Sequence, residues 1–335
     1  MCFRLKQRWK RLALLSFGLS ILTAYYIINH ETIQRFSVKS IFFSKEQAKC
    51  IYNVISNKHG DLKLYEYSIF FHETSCKGYL DRRQACSVES AARAHPGWQV
   101  NVFFTREIQK KFKIRSRKFF QGLNVELRTI SFRQYIKGTP AQTILDDGRL
   151  NNSFYKISHT SDILRYTSLY KYGGIYLDLD IIVAKPLDDL GWNWAVKESV
   201  TDVASGSLRF SNDKVGRLFA NVTMNELSKN FSGEVWGFNG PGVITRVLKN
   251  LCATRHVNRM NANTCLGFQV LDKRTVHPIP WQNANQYFEA NSTYPETYAY
   301  HVWNKLSHTM VIQKNSPYDR LAKKYCPNVY KNGIW

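Results

Sequence analysis

Two aspartates, Asp178 and Asp180, interrupt the apolar run YLDLDIIVA in this chain of 335 residues. Alternation over residues 175–183 predicts a strand, with Asp178, Asp180 and Ile182 on one face and Leu177, Leu179 and Ile181 on the other. On such a strand the two carboxylates lie about 6–7 Å apart. Neither has an opposite-sign neighbour in the run, so unpaired they repel one another and carry a large desolvation cost. A divalent cation answers both problems if the strand end opens on a cleft. Oxygen ligands select a hard ion, Mg²⁺ or Mn²⁺. Such an ion bridges a carboxylate to a diphosphate, which is the leaving group of a sugar nucleotide. An Asp-x-Asp triplet alone often arises by chance; the Gly-Gly turn and apolar strand around it make it more specific.

The element that must position this pair precedes it. Residues 158–172 have helical spacing, with Ile163, Tyr166 and Tyr170 on one stripe. Gly173-Gly174 after Lys171 is a helix stop with a cation in the last turn. Asp162 and Arg165 stand one turn apart. They either both face the cleft or form a plain i,i+3 ion pair.

Further elements fit an α/β domain. Residues 68–71 (SIFF), 100–104 (VNVFF) and 124–130 (NVELRTI) read as strands, and residues 87–95 (SVESAARAH) as a helix ended by Pro96-Gly97. Strand–helix–strand order argues for a mostly parallel sheet. The run KKFKIRSRK over residues 110–118 concentrates six bases. It suits a grip on phosphates or membrane, although a solvated loop is the commoner meaning of such a run.

Composition bounds the rest. With 44% hydrophobic and 14% aromatic residues, a sizeable core is expected and disorder is not. The formal net charge of +22 favours anionic partners. Residues 1–11 carry five bases and no acid, and residues 12–28 are uncharged and mostly apolar. That pattern predicts a cytosolic tail and a short transmembrane signal-anchor. Bulky Tyr25, Tyr26, Ile27 and Ile28 stand where a cleavage site would lie, which argues against a removed signal peptide. Positive charge before the span places everything after it in the lumen, excluding nucleic acid as a partner. Residues 29–62 then read as a stem and 63–335 as the luminal domain.

Beyond Cys2 there remain Cys50, Cys76, Cys86, Cys252, Cys265 and Cys326, an even set for an oxidising compartment. The shortest loops favour Cys76–Cys86 and Cys252–Cys265, leaving Cys50 with Cys326. Glycosylation sequons stand at Asn151, Asn221, Asn230 and Asn291.

At SDILRY and YGGIYLDLD the sequence resembles the sugar-binding region of the α-1,4-glycosyltransferases of the lactosylceramide 4-α-galactosyltransferase family, and more distantly clostridial glucosylating toxins. IFFHETS, CSVESAARAHP, WGFNGPGVITRV, PIPWQ, HVWNK and YCP are similar to its members too. The resemblance implies a GT-A (Rossmann-like) fold, a UDP-sugar donor, Mn²⁺ and retention of the α configuration. By position it implies that Asp178 and Asp180 hold metal and diphosphate. Asp162 and Arg165 would contact the donor sugar, Tyr176 the nucleotide, and Phe71, His72 and Glu73 would lie near the uracil. His301 of HVWNK is similar to the histidine that completes the metal shell, its alternative being a hydrogen-bonded core histidine. Asn239 of FNGPG would contact acceptor or leaving group, or serve the turn before a helix starting near Pro241. Trp236, Trp281 and Trp303 would stack on sugar rings or be packed. The family's usual Asn-Gly-Ala is Ser205-Gly206-Ser207 here, which leaves both UDP-galactose and UDP-N-acetylgalactosamine as donors.

The expected function is a retaining α-1,4-glycosyltransferase of the Golgi membrane acting on a glycosphingolipid. One alternative is a catalytically weak paralogue that binds and supports another Golgi transferase. Another is a basic tethered binding module, which leaves the strand carboxylates unexplained.

Overall fold

The computed structural model describes residues 67–332; the expected tail, anchor and stem, and Cys50, lie outside the described residues. No helix among the described residues is long and apolar enough to cross a membrane. In chain order the first elements are β1 (Ser68–Glu73), α1 (Arg82–Ala94), β2 (Gln99–Phe104), α2 (Lys110–Phe119), β3 (Val125–Thr129), α3 (Phe132–Ile136), α4 (Gln142–Asp146) and α5 (Lys156–Tyr172). Then come β4 (Gly174–Leu177), β5 (Ile181–Val183), β6 (Trp194–Lys197), β7 (Val203–Phe210), α6 (Lys214–Asn230), α7 (Pro241–Leu251) and β8 (Gln269–Leu271). The chain closes with β9 (Ala299–His301), α8 (Asn304–Ser307), α9 (Pro317–Tyr325) and α10 (Pro327–Asn332).

Seven strands form one sheet in the order β3-β2-β1-β4-β7-β6-β8. β1 pairs in parallel with β2 and β4, β2 with β3, and β6 with β8; β7 runs against both of its neighbours. The sheet is therefore mixed, with β7 as the exception to the expected parallel run. Side chains alternate across it: Ile69 and Phe71 enter a core with α1, α2, α9 and α10, while Phe70 enters another with α3 to α7. Chain order reverses between β1 and β4, and open α/β sheets bind ligands beyond the strand ends at such a point.

The expected strand over residues 175–183 is two strands in different sheets. β4 ends at Leu177, and β5 pairs with β9 instead. Asp178 to Asp180 form the turn between them, closed by Ile181 N–H on Asp178 O at 3.2 Å. Alternation alone did not reveal that burying two carboxylates in a strand is harder than bending the chain there. Gly173 and Gly174 feed this turn with φ of 69° and 89°, and a Cβ on Gly174 would stand 2.4 Å from Ser68 O. Only glycine allows α5 to turn so tightly into the sheet.

Two other expectations change. Residues 110–118 lie in helix α2, not a loop: Phe112, Ser116 and Phe119 are buried on one side, so the bases share a solvent face. Cys86 pairs with Cys326, which replaces both Cys76–Cys86 and Cys50–Cys326; Cys252–Cys265 forms as expected. Cys76 is disulfide-bonded as well. The long Cys86–Cys326 bridge joins α1 to the start of α10, where buried Glu89 also accepts the Asn328 and Val329 N–H groups at 2.9 and 2.7 Å. Short loop length misled because the pairing follows packing of the C-terminal helices on α1.

Candidate active site

The site assembles at the ends of β1 and β4, from α5, the 178–180 turn and the loop after β9. Asp162 and Arg165 are both buried on α5 and form an ion pair at 3.1 Å. Arg165 also reaches Asp178 Oδ1 at 3.4 Å, so the pair is both an i,i+3 bridge and part of the cluster. Arg165 Nη1 donates to Ser205 O at 2.8 Å and Ser205 Oγ at 3.1 Å, and its guanidinium lies 4.7 Å from the Tyr176 ring centroid. Tyr176 donates its hydroxyl to Asp178 Oδ1 at 2.5 Å.

Asp180 is held from the C-terminal side. Pairing of Ile181 with His301 across β5 and β9 brings the imidazole to the turn. His301 Nε2 lies 3.1 Å from Asp180 Oδ1, and the Asn304 N–H donates to Oδ2 at 2.7 Å. Trp303 makes that second bond available, since its left-handed backbone (φ 55°) turns the chain into α8. Its ring stacks on His301 at 4.0 Å, while its indole N–H is spent on Ile279 O at 2.9 Å.

The charges behave differently across the cluster. Burial pushes Asp162 up to about 7, against the pull of Arg165. Burial also raises Asp178, with Arg165 opposing. For Asp180 burial acts upward too, but His301 and the Asn304 N–H outweigh it and hold the carboxyl low. Burial disfavours a charged His301, yet Asp180, Asp178 and Glu198 overcome this and raise its basicity.

Comparison with known proteins matches these elements to a family. Residues 81–197 match the glycosyltransferase sugar-binding region containing the DXD motif, and residues 212–333 match the alpha 1,4-glycosyltransferase conserved region. Lactosylceramide 4-alpha-galactosyltransferase of Mus musculus is 33% identical over 279 residues, covering 79% of this chain and 75% of its own. The Homo sapiens protein of that name is 31% identical over 79% of this chain and 76% of its own. Alpha-1,4-N-acetylglucosaminyltransferase of Homo sapiens is 26% identical over 79% and 80% respectively. The chain belongs to the alpha-1,4-glycosyltransferase family. Its mixed-sheet α/β fold is GT-A-like, and the matched DXD region carries the Asp178–Asp180 turn of this glycosyltransferase.

The residues present fit a divalent cation. Asp178, Asp180 and His301 each offer one ligand atom, all within 4.8 Å of one another. A Cβ on Gly206 would stand 2.7 Å from Asp178 Oδ2 and 3.5 Å from His301 Cε1, so glycine keeps the space beside these donors clear. Buried His301 Nδ1 has no hydrogen-bond partner among the described residues.

The remaining expected residues are placed less directly. Phe71 is wholly buried in the core, so its side chain is not available to a nucleotide. His72 turns inward to Ser168 Oγ at 2.9 Å, packs against Phe103 and Tyr176, and is driven down to about 3 by burial and Arg165. Glu73 folds back to accept the Ser75 N–H at 2.8 Å. Asn239 is buried and clamps both backbone groups of Ser232, the turn chemistry weighed above. Trp303 packs on His301 and is no open sugar platform, whereas Trp236 and Trp281 are exposed. The sequon asparagines Asn151, Asn221, Asn230 and Asn291 are all exposed, while Ser153 and Thr223 of the first two sequons are buried.

Four contributors escaped the sequence reading. Gly206, Glu198, Asn304 and His277 border the cluster, the last through its ring 5.2 Å from that of His301. Gly206 and Asn304 sat inside motifs already noticed. Glu198 and His277 carried no local signal, because only the tertiary fold brings them near His301.

Proposed function

We propose that the chain is a retaining α-1,4-glycosyltransferase that moves galactose or N-acetylgalactosamine from a UDP-sugar to a glycosphingolipid in the Golgi lumen. The observation that carries this reading is the convergence of Asp162, Arg165, Asp178, Asp180 and His301 at the sheet's switch point, in a family whose relatives are named for 4-α-galactosyl transfer to lactosylceramide and for α-1,4-N-acetylglucosaminyl transfer. When bound, a divalent cation such as Mn²⁺ supplies Lewis-acid stabilisation of the departing diphosphate. Asp178, Asp180 and His301 would hold it. Arg165 keeps Asp178 fixed and adds positive charge close to that oxygen set. Asp162, beside Gly240 and Ser205, would accept hydrogen bonds from donor-sugar hydroxyls.

Ser205 supports keeping both donors in view, since its hydroxyl is held by Arg165 at the position where the family resemblance leads one to expect an amide. The N-terminal segment would anchor the chain with residues 63–335 in the lumen, in keeping with the exposed sequon asparagines and the disulfides. Complexes with other Golgi transferases fit the same location.

The purified chain incubated with UDP-galactose, UDP-N-acetylgalactosamine or UDP-N-acetylglucosamine and a glycosphingolipid panel tests the reading. One donor should be consumed with a new α-anomeric proton in the product spectrum. Absence of transfer from every donor would favour the non-catalytic, supporting role.

A further inference from the structure

Beside the candidate active site the structure leaves an exposed apolar rim. Phe154 is 77% exposed, Val235 55%, Leu306 49% and Trp236 45%. These side chains come from three segments, and hydrogen bonds tie the first two together. The Phe154 N–H donates to Gly233 O at 3.0 Å, and the Trp236 indole N–H to Ser158 Oγ at 3.1 Å. His159 Nε2 reaches Trp236 O at 3.3 Å. The third segment joins through Lys305, whose Nζ stands 3.5 Å from the Trp236 ring centroid, with Leu306 next in the chain. Single exposed apolar side chains are ordinary, but a group gathered from three segments marks an interaction surface.

The rim is fixed to the chemistry at two points. The loop carrying Val235 and Trp236 ends at Gly240, whose carbonyl accepts from Tyr166 at 2.7 Å. A Cβ on Gly240 would lie only 2.5 Å from Asp162 Oδ1. Leu306 and Lys305 lie in α8, whose first N–H caps Asp180. Whatever the rim touches is therefore held in register with Asp162 and Asp180.

Its chemistry selects among partners. A phenyl ring and two aliphatic side chains beside an indole, with a lysine on a flexible stem, suit the headgroup depth of a bilayer. Glu234 is the one acid within the exposed 234–236 stretch. An acceptor free in solution gives no reason for such a rim. An acceptor held by a lipid tail presents its sugar only just above the bilayer, so the cluster must be brought down to that surface. We propose that Phe154, Val235, Trp236 and Leu306 form a membrane-contact rim that seats the catalytic cluster against the bilayer carrying the acceptor. This rests on the reading of the acceptor as a glycosphingolipid.

The test uses the full-length chain reconstituted in phosphatidylcholine vesicles and two parallel acceptors. One is the glycosphingolipid in the same bilayer, the other its free oligosaccharide in solution. In the double variant Phe154→Ser, Val235→Ser the rate on the bilayer acceptor should fall about tenfold or more, as expected from removing two interfacial apolar groups. The oligosaccharide rate and Tm should stay at wild-type values, and Phe154→Leu should retain the bilayer rate. An unchanged ratio between the two acceptors overturns the rim. So does an equal fall on both, which marks a structural role. Failure of the wild type on both acceptors instead overturns the underlying reading of function.

Discussion

Asp162, which is buried, and Asp180, which is partly buried, are carboxylates of one cluster, yet the chain treats them in opposite ways. Asp162 lies beside a permanent cation, Arg165, which it shares with Asp178, and burial still drives its carboxyl up to about 7. Among the described residues Asp180 has no ion pair with lysine or arginine; it is held by a titratable imidazole and one backbone N–H, and stays ionised. The difference separates two tasks. The α5 side is balanced within the protein and suits hydrogen bonding to a neutral sugar. The β9 side keeps an anion whose counter-charge is exchangeable, which is what a cation site requires.

The largest expected effect falls on the exchangeable side. Asp180→Asn keeps the shape but removes a full charge, and should cost about 4 kcal/mol of transition-state stabilisation, near a thousandfold in rate. The fold should be retained, with only a modest fall in Tm without added metal from the lost His301–Asp180 contact. On the balanced side the order inverts. Arg165→Met leaves buried Asp162 and partly buried Asp178 without their cation and should cost about 3 kcal/mol of stability in denaturant melts. An Arg165→Met protein as stable as wild type would erase the distinction between the two sides.

Much of this was legible in the sequence, and the shortfall has a physical pattern. SIFF, VNVFF and NVELRTI each became a strand, because apolar alternation and β-branched or aromatic side chains act locally. Asp178 and Asp180 stood out because unpaired carboxylates in an apolar run demand a partner. What escaped was tertiary. Nothing near Asp178 in sequence announces Arg165 as its neighbour, nor Asn304 as the cap of Asp180. Cys326 finds Cys86 across a separation of 240 residues, where loop length had favoured nearer partners. Lys110 to Lys118 read as a solvated loop because six bases hid Phe112, Ser116 and Phe119, the narrow apolar face that makes a helix.

A middle-sized effect should appear in the pH dependence of the β9 side. His301 has its basicity raised by Asp180, Asp178 and Glu198, so a proton and a divalent cation compete for it. Without metal, the stability from its charged form is complete below about 6.5 and lost as pH rises through the raised value. With metal the acid limb of the rate should move to lower pH, by about one unit for a tenfold rise in Mn²⁺. Rate–pH profiles at two Mn²⁺ concentrations check this, and a limb that stays in place removes His301 from the ligand set.

The smallest effect is expected for the stability of Asp162→Asn. A carboxyl lifted to about 7 keeps a proton in the folded chain that the unfolded chain releases near 4. Between those values its contribution to stability declines as pH rises. Asp162→Asn should therefore match or exceed wild-type stability at pH 7, within about 1 kcal/mol, while slowing transfer. A marked loss of stability at pH 7 would mean that Arg165 outweighs burial and that both sides are balanced alike.

On the proposed reading an exchangeable divalent cation, held by Asp178, Asp180 and His301, works with a protein-fixed Arg165–Asp162 pair in glycosyl transfer. The most direct test of that reading is the initial rate of transfer by the full-length chain from its preferred UDP-sugar, first in chelator and then across a Mn²⁺ titration. Turnover should vanish in chelator and recover fully on adding Mn²⁺, whereas Asp180→Asn should recover to no more than about a thousandth of the wild-type rate at any Mn²⁺ concentration. Turnover that continues at the untreated rate in chelator would contradict that reading.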